Sequence, residues 1–180
     1  EQNTAFLAIK ETVDQGKEKT FLLHGVTGSG KTEIYLQVIA HALSLNKTAL
    51  VLVPEIGLTP QMIERFQARF GAQIAHLHSH LTQKERNAER ARVVSGSAKI
   101  VIGTRTALFA PLENIGVIVL DEEYENTYKS DMSPRYHARE VARALAHLHQ
   151  AVLILGSATP SVESYYRAQQ GDYHLLTLKS

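Results

Sequence analysis

The sequence contains no cysteine, so neither a disulfide nor a thiolate zinc site can form within its 180 residues. It has no apolar run near the roughly 18 residues that a membrane-spanning helix needs, and its first residues lack the order typical of a signal peptide. These absences predict a soluble, cytoplasmic protein with no membrane partner. The formal net charge of +1 excludes a polycation, so any contact with nucleic acid must be local.

A phosphate-binding loop is the most informative feature that the sequence does contain. The letters GVTGSGKT match the pattern G-x-x-x-x-G-K-[ST] and stand between an apolar strand pattern and a helical one. Glycines let the backbone approach phosphate oxygens, and the N–H groups that open the following helix face the anion. A glycine-rich turn without a ligand is the alternative. Eight residues are candidate nucleotide contacts: Gly25, Val26, Thr27, Gly28, Ser29, Gly30, Lys31 and Thr32.

Four side chains have specific predicted roles in phosphate chemistry. Lys31 is expected to reach the β- and γ-phosphates of a nucleoside triphosphate, and Thr32 to place its hydroxyl on Mg²⁺. Three carboxylates, Asp121, Glu122 and Glu123, directly follow an apolar run. Asp121 is predicted to hold Mg²⁺, directly or through water, and Glu122 to polarise the hydrolytic water. A solvated acidic turn is the alternative.

Short runs rich in Val, Ile and Leu alternate with helical patterns along the whole chain. This order predicts one α/β domain over residues 1–180, a mostly parallel sheet with helices on both faces. Strands are predicted at 21–23, 50–53, 74–77, 100–102, 117–120 and 152–155, and helices at 33–45, 60–70, 83–94, 137–149 and 160–169. Helix caps are predicted at Thr59 and Thr159, each before a proline, and a capping box at Thr82 with Glu85. The segment 123–136 is predicted to be a functional loop.

Six motifs occur in the order found in superfamily 2 helicases. They are GVTGSGKTE (25–33), VPEIGLTPQ (53–61), IGTRTALFAP (102–111), DEEY (121–124), SPRYHARE (133–140) and LGSATPS (155–161). The set covers essentially the whole chain and most resembles the primosomal helicases of the PriA family. The resemblance implies a RecA-like P-loop NTPase lobe, the first motor lobe of an ATP-dependent DNA helicase that acts in primosome assembly and replication restart at stalled forks. It also implies single-stranded and forked DNA, primosome proteins and single-stranded DNA-binding protein as partners.

The same resemblance implies roles for individual residues. Four residues match motifs that grip a DNA backbone: Thr59, Gly103, Thr104 and Arg105. Four more match an aromatic-rich loop that senses DNA: Tyr128, Lys129, Arg135 and Tyr136. Those matched to positions that couple nucleotide state to DNA are Tyr124, Ser157 and Thr159, and Gln2 matches an adenine-recognising glutamine. A surface ion pair is the alternative for Arg105, and a loop packed on its own domain is the alternative for the aromatic-rich segment.

The sequence departs from the family pattern at two positions. Tyr124 stands where the family usually has His, and a phenol cannot titrate near neutral pH, so we expect altered DNA-stimulated hydrolysis with nucleotide binding preserved. His80 stands where the family commonly has Gly. A metal site at His76, His78 and His80 is disfavoured because the local sequence offers no carboxylate or thiolate ligand.

Parts that the family carries elsewhere have no counterpart in this sequence: a second motor lobe, a zinc-binding cysteine cluster and an N-terminal DNA-binding region. We therefore expect this lobe alone to be weakly active or inactive, and zinc only in the rest of a full-length protein. Basic clusters at 84–92 and at Arg135, Arg139 and Arg143 are either solvated helix faces or phosphate contacts. A non-catalytic nucleotide-dependent interaction module, or the motor lobe of another superfamily 2 translocase, is the alternative function.

Overall fold

A seven-stranded parallel sheet runs through the centre of the computed structural model, which describes residues 1–179. The sheet strands are β1 (Lys19–Gly25), β2 (Thr48–Leu52), β3 (Ile74–Leu77), β4 (Ile100–Gly103), β5 (Ile115–Leu120), β8 (Val152–Ser157) and β9 (His174–Leu178). Two short strands, β6 (Lys129–Ser130) and β7 (Tyr136–His137), pair as a separate antiparallel ribbon. The order across the large sheet is β3-β4-β2-β5-β8-β1-β9, which confirms the predicted α/β class.

Helices cover both faces of this sheet, as predicted for strands that are apolar on both sides. They are α1 (Gln2–Gln15), α2 (Lys31–Ser44), α3 (Pro60–Phe70), α4 (Gln83–Val94), α5 (Ala138–His149) and α6 (Val162–Gln169). Buried side chains of α1, α2 and α3 pack on one face, and those of α4 and α5 on the other. None of the helices in the described chain is long and apolar enough to cross a membrane.

Three neighbouring strands end at the same edge of the sheet. Strand β8 lies between β1 and β5, and all three run parallel, so their carboxyl ends meet. The phosphate-binding loop follows β1, the acidic residues follow β5, and Gly156 and Ser157 end β8. Because ligands of open α/β sheets bind beyond the carboxyl ends of the strands, this edge is the expected ligand side.

Besides the short β6–β7 ribbon, the structure contains one helix and one strand of the large sheet that the sequence pattern did not indicate. Helix α1 packs Ala5, Ile9 and Val13 into the core, and β9 forms one edge of the sheet beside β1. Helix α1 was not predicted, although its buried residues recur every four positions, which is a helical spacing. Strand β9 is mostly exposed and so lacks the continuous apolarity of the central strands.

Helix starts confirm two predicted caps and correct the third. Thr59 accepts a hydrogen bond from the N–H of Met62, and Thr82 forms the predicted capping box with Glu85. The predicted cap at Thr159 is wrong: α6 begins at Val162 and is capped by Ser161. Helix α2 begins at Lys31, two residues earlier than predicted, so its first N–H groups belong to the phosphate-binding loop itself.

Candidate functional site

The phosphate-binding loop has the backbone that an anion site requires. Gly28 and Gly30 take φ values of +84° and +95°, which side chains rarely adopt, so glycine is needed at both. The Nζ of Lys31 is buried and donates hydrogen bonds to the carbonyl oxygens of Gly25 (2.6 Å) and Val26 (3.3 Å). The ammonium group is therefore held inside the loop by two neutral carbonyl oxygens, which charged phosphate oxygens can replace.

Gln2 lies against this loop from α1. Its side-chain amide donates to the carbonyl oxygen of Ser29 (2.8 Å), and a Cβ on Gly30 would overlap the Gln2 amide. The predicted nucleotide residue at the start of the chain is therefore next to the phosphate loop. An adenine contact by Gln2 stays a prediction.

A cavity of about 320 Å³ opens between the phosphate-binding loop and the acidic residues after β5. It brings together predicted residues that are about 90 positions apart in sequence and adds Arg65 from α3, which the sequence pattern did not indicate. Its lining consists of Thr27, Gly28, Gly30, Lys31, Thr32, Arg65, Asp121 and Glu122. Two cations and two carboxylates thus face one space, as expected where a charged phosphate chain and a divalent cation bind together.

Asp121 is oriented by a tyrosine that the motifs did not reveal. The hydroxyl of Tyr35, which is fully buried on α2 one helical turn after Lys31, donates to Asp121 Oδ1 at 2.8 Å. Burial, and then the charge of Asp121, raises the pKa of Tyr35 well above its ordinary value, so the hydroxyl stays protonated and donates. Burial also raises the pKa of Asp121 above its ordinary value, against the opposing effects of Tyr35 and Lys31.

Gly156 is required by this contact. A Cβ there would overlap the Tyr35 hydroxyl oxygen and lie 3.0 Å from Asp121 Oδ1. The end of β8 therefore closes directly over the hydrogen bond between α2 and the acidic turn. Two sequence motifs, at 121–124 and 155–161, thus meet helix α2 at this one contact.

Glu122 has a strained backbone and a free carboxylate oxygen. Its φ is +48°, in the left-handed region that few residues other than glycine adopt. Its Oε2 is buried and has no hydrogen-bond partner within residues 1–179. Burial, followed by the charge of Asp121, raises the pKa of Glu122 above its ordinary value. A raised pKa makes a carboxylate a better proton acceptor near neutral pH.

The residues fit Mg²⁺ and a nucleoside triphosphate. Thr32 and Asp121 are oxygen donors on the same cavity, and hard oxygens are what Mg²⁺ prefers. Few protein ligands are expected, because Mg²⁺ in such sites keeps waters and phosphate oxygens. Residues 1–179 contain no group of three or more His, Cys, Asp and Glu side chains placed to hold a metal ion by themselves.

Loss of the Tyr35 hydroxyl should weaken Mg²⁺-dependent nucleotide binding. In a Tyr35→Phe variant, Asp121 loses its donor and is free to turn, so we expect the Kd for an ATP analogue with Mg²⁺ to rise about tenfold. Without Mg²⁺ the Kd should not change. Fluorescence titration with and without the metal measures both values, and Tyr166→Phe, which alters an exposed tyrosine, is the control. Equal weakening with and without Mg²⁺ would contradict a role for Tyr35 in orienting Asp121.

A second cavity of about 320 Å³ lies beyond the ends of β2 and β4 and holds residues predicted to contact DNA. Its lining includes Thr104 and Arg105, together with Val53, Glu55, Ser79, Thr106, Thr127 and Tyr128. Arg105 donates to the carbonyl oxygens of Thr127 (3.0 Å) and Lys129 (2.7 Å), and its guanidinium lies 5.7 Å from the ring centre of Tyr136. Arg105 therefore fastens the aromatic-rich segment to the end of β4. Within residues 1–179 Arg105 forms no ion pair, so the surface ion pair that was the alternative for this residue is not found there.

Tyr128 does not lie where a base could stack on it, which corrects its predicted role. Only 1% of its surface is exposed, and its hydroxyl donates to the carbonyl oxygens of Asp121 (2.5 Å) and Leu52 (3.2 Å). Tyr128 instead anchors the loop to the backbone of the acidic turn. Lys129 and Arg135 are exposed and Tyr136 is half-buried, so these predicted DNA contacts remain accessible.

Phe109 is an aromatic surface residue that the motifs did not single out. It is 56% exposed and packs edge-to-face on Tyr136, with 5.5 Å between ring centres. It also lines a smaller cavity of about 210 Å³ with His78, Arg86 and Arg90. In the basic cluster of α4, Arg92 pairs with Glu89 at 2.8 Å, whereas Arg86 and Arg90 have no carboxylate partner in the described chain. Aromatic and cationic groups thus form one continuous surface.

The coupling residues take different positions. Ser157 is buried, and its Oγ accepts a hydrogen bond from the N–H of Thr159 (2.9 Å), which is itself exposed. Tyr124 is 43% exposed.

Two residues predicted to grip a DNA backbone differ in exposure. Thr59 is exposed at the start of α3, where its hydroxyl caps the helix. Gly103 is buried against the backbone of β3.

The known proteins that this chain matches include helicases, as its sequence motifs imply. A profile of the DEAD/DEAH box helicase family matches residues 2–168. The replication restart protein PriA of Bacillus subtilis is 55% identical over 179 residues, which is 99% of this chain and 22% of that protein. The replication restart protein PriA of Haemophilus influenzae is 50% identical over 172 residues, 96% of this chain and 24% of that protein. The chain thus spans about a fifth to a quarter of the length of these relatives.

Solved structures support the fold. The helicase domain of Pyrococcus furiosus Hef superposes with a TM-score of 0.70 at 23% identity, over 99% of this chain and 37% of that one. RecG bound to a three-way DNA junction superposes with a TM-score of 0.72 at 23% identity, over 99% of this chain and 23% of that one. At this identity the likeness shows the α/β architecture alone.

Proposed function

Because this chain belongs to the DEAD/DEAH box helicase family, we propose that it is the ATP-binding motor lobe of an ATP-dependent DNA helicase that acts at stalled replication forks in primosome assembly and replication restart. The observation that carries this proposal is the cavity in which the phosphate-binding loop faces Asp121 and Glu122. The identity of 50–55% to proteins named for replication restart supports the biological setting.

Each residue of the cavity has a chemical task in this proposal. Lys31 leaves the carbonyl oxygens of Gly25 and Val26 for the β- and γ-phosphates, where its charge is stabilised more strongly. Thr32 and Asp121 would hold Mg²⁺, which when bound neutralises phosphate charge. Glu122 orients the attacking water with its free Oε2 and accepts its proton there.

A lobe of this kind is expected to bind nucleotide weakly and hydrolyse it slowly by itself. The resemblance to PriA-family helicases implies that an arginine finger from a second lobe closes the nucleotide site. Such a residue accelerates hydrolysis about 10³- to 10⁵-fold. Arg65 supplies one cation at the cavity from within the lobe. Full hydrolytic activity is therefore expected of a protein that carries both lobes. Zinc is expected to bind only in the cysteine-bearing region of the full-length protein.

The proposed nucleic-acid surface lies beside the nucleotide cavity. The guanidinium of Arg105 lies over the ring of Tyr136, Phe109 packs edge-to-face on the same ring, and Lys129 and Arg135 are exposed in the same segment as Tyr136. Aromatic faces and cations in this mixture bind single strands without reading sequence. Single-stranded and forked DNA are the proposed ligands, and primosome proteins and single-stranded DNA-binding protein are the proposed partners of the full-length protein.

Tyr124 should set the strength of DNA stimulation. In the full-length protein, Tyr124→His is expected to leave ATP binding unchanged and to alter stimulation of hydrolysis by single-stranded DNA about two- to tenfold, the effect of one hydrogen bond. The His variant should also gain a pH dependence between about pH 6 and 7, because imidazole titrates there and a phenol does not. Identical stimulation and pH profile in both proteins would contradict this role.

Strand separation tests the proposed function. With ATP and Mg²⁺, the full-length protein is expected to release a labelled strand from a forked DNA, and Lys31→Ala is expected not to. A forked substrate left intact by the unaltered protein, with ATP hydrolysis proceeding, would favour a nucleotide-dependent module or a translocase that does not unwind.

A further inference from the structure

Glu123 is a buried carboxylate that the nucleotide cavity does not use. It is 0% exposed, and its side chain points away from Asp121 and Glu122 toward α5 and α6. Its Oε1 accepts a hydrogen bond from the N–H of Ser161 (2.7 Å), and its Oε2 accepts from the hydroxyls of Ser161 (3.1 Å) and Ser164 (3.0 Å). Arg139 completes the set at 3.0 Å from Oε2. Both oxygens of this carboxylate thus accept hydrogen bonds from other elements of the fold.

The backbone on either side of Glu122 is fixed by the same turn. The N–H of Asp121 donates to the carbonyl oxygen of Leu52 (2.9 Å), and the N–H of Glu123 donates to that of Gly156 (3.0 Å). Between these two hydrogen bonds, Glu122 is held at a φ of +48°. A strained backbone persists only where the surroundings over-determine it, and the side-chain bonds of Glu123 provide that constraint.

The other ends of the Glu123 contacts lie on α5 and at the start of α6. Arg139 is in the first turn of α5, which follows β7 (Tyr136–His137), and the ring of Tyr136 contacts Phe109 and Arg105 at the proposed DNA surface. Ser161 ends the segment 156–161 that closes over Asp121 and caps α6. The buried carboxylate of Glu123 thus links the acidic turn to the start of α5, which follows the aromatic-rich segment, and to the turn after β8.

Because the buried Glu123 and the largely buried Arg139 carry opposite charges, the link between the acidic turn and α5 is costly to break. Arg139 is only 12% exposed at its side chain, and separating a buried ion pair leaves two poorly solvated charges. A shift of the start of α5 when DNA binds Tyr136 therefore has to move Glu123 with it. Because Glu122 is the preceding residue, its carboxylate then changes position relative to the phosphates.

We propose that Glu123 is a positioning residue that couples DNA binding to ATP hydrolysis by tying the Glu122 turn to α5 and α6, a role that rests on the proposed function. Glu123 does not touch the nucleotide. It sets the position of Glu122 and passes a displacement from the DNA surface to the hydrolytic turn.

Glu123→Gln in the full-length protein tests this role, because the amide keeps the size and loses the charge that holds Arg139. We expect the kcat stimulated by single-stranded DNA to fall about tenfold, a typical loss of coupling between sites, while the KM for ATP and the Kd for DNA stay within about twofold. Rates are measured well below the unfolding midpoint of each variant. Glu140→Gln is the matched control: Glu140 is an exposed carboxylate 3.7 Å from the same Arg139, and its loss should leave stimulation unchanged.

Three outcomes are distinguishable. A fall in stimulated kcat alone supports coupling through Glu123. Stimulation equal to that of the unaltered protein, with only a lower unfolding midpoint, overturns the inference and leaves Glu123 as a structural residue. Absence of DNA stimulation in the unaltered protein overturns the proposed function and the coupling role together. If Glu123→Gln does not fold, Ser164→Ala removes one donor and should lower stimulated kcat about threefold, whereas unchanged stimulation would overturn the inference.

Discussion

Glu122→Gln is expected to lower DNA-stimulated ATP hydrolysis by about 10²–10³ while ATP and DNA still bind. The amide cannot accept a proton from water, and general-base catalysis contributes about that much to rate. Glu122 has the free oxygen, the raised pKa and the position on the cavity that this role needs. Steady-state hydrolysis with saturating single-stranded DNA measures the rate, and fluorescence titration measures binding.

The matched control for Glu122→Gln is Glu125→Gln. Glu125 is three residues away, and its backbone N–H donates to the Glu122 carbonyl oxygen, so its substitution removes an equal charge from the same turn. We expect less than about a threefold change in rate, because no cavity residue is lost. Equal losses in the two variants would show that charge at the turn, and not a base at Glu122, sustains hydrolysis.

Gly103→Ala is expected to destabilise the fold by about 3 kcal/mol, the upper part of the usual range for overpacking. A Cβ at Gly103 would overlap the carbonyl oxygen of Leu77 and lie 2.8 Å from the Cβ of Ala107. The first contact is with backbone of the neighbouring strand β3, which cannot turn aside as a side chain can. A fall of about 6–12 °C in the unfolding midpoint follows for a domain of this size.

Gly96→Ala is the control for this effect. Gly96 has a φ of +80°, and no atom lies within 4 Å of an added Cβ, so only backbone strain of about 1 kcal/mol is introduced. Calorimetry of both variants separates crowding from strain. Equal destabilisation would mean that β3 yields to the added methyl, and that Gly103 is not needed for the close approach of β3 and β4.

Local patterns were enough to locate the nucleotide site. The phosphate-binding loop and the acidic turn each occupy a few consecutive residues, and parallel strands necessarily bring both to one edge of the sheet. Tyr35 could have been found from the same information, because a residue four positions after Lys31 lies on the same face of α2. Arg65 could not, because nothing local says which face of α3 turns toward the cavity.

The aromatic-rich segment was harder to interpret, because burial and exposure alternate within it. Tyr128 and Tyr136 have similar sequence surroundings, yet one is anchored under the acidic turn and the other reaches the surface. Glu123 gave no signal of its own, since its partners Arg139, Ser161 and Ser164 are 16 to 41 residues away in sequence. Contacts of that separation depend on how helices pack, which short motifs do not encode.

The most direct test of the account is the rate of ATP hydrolysis by the full-length protein with and without single-stranded or forked DNA. We predict a rate that rises with DNA and that is lost in Lys31→Ala, because the nucleotide cavity and the aromatic surface share the acidic turn and Tyr128 joins them. A rate that no nucleic acid changes would contradict the central claim that this lobe belongs to a DNA-driven motor.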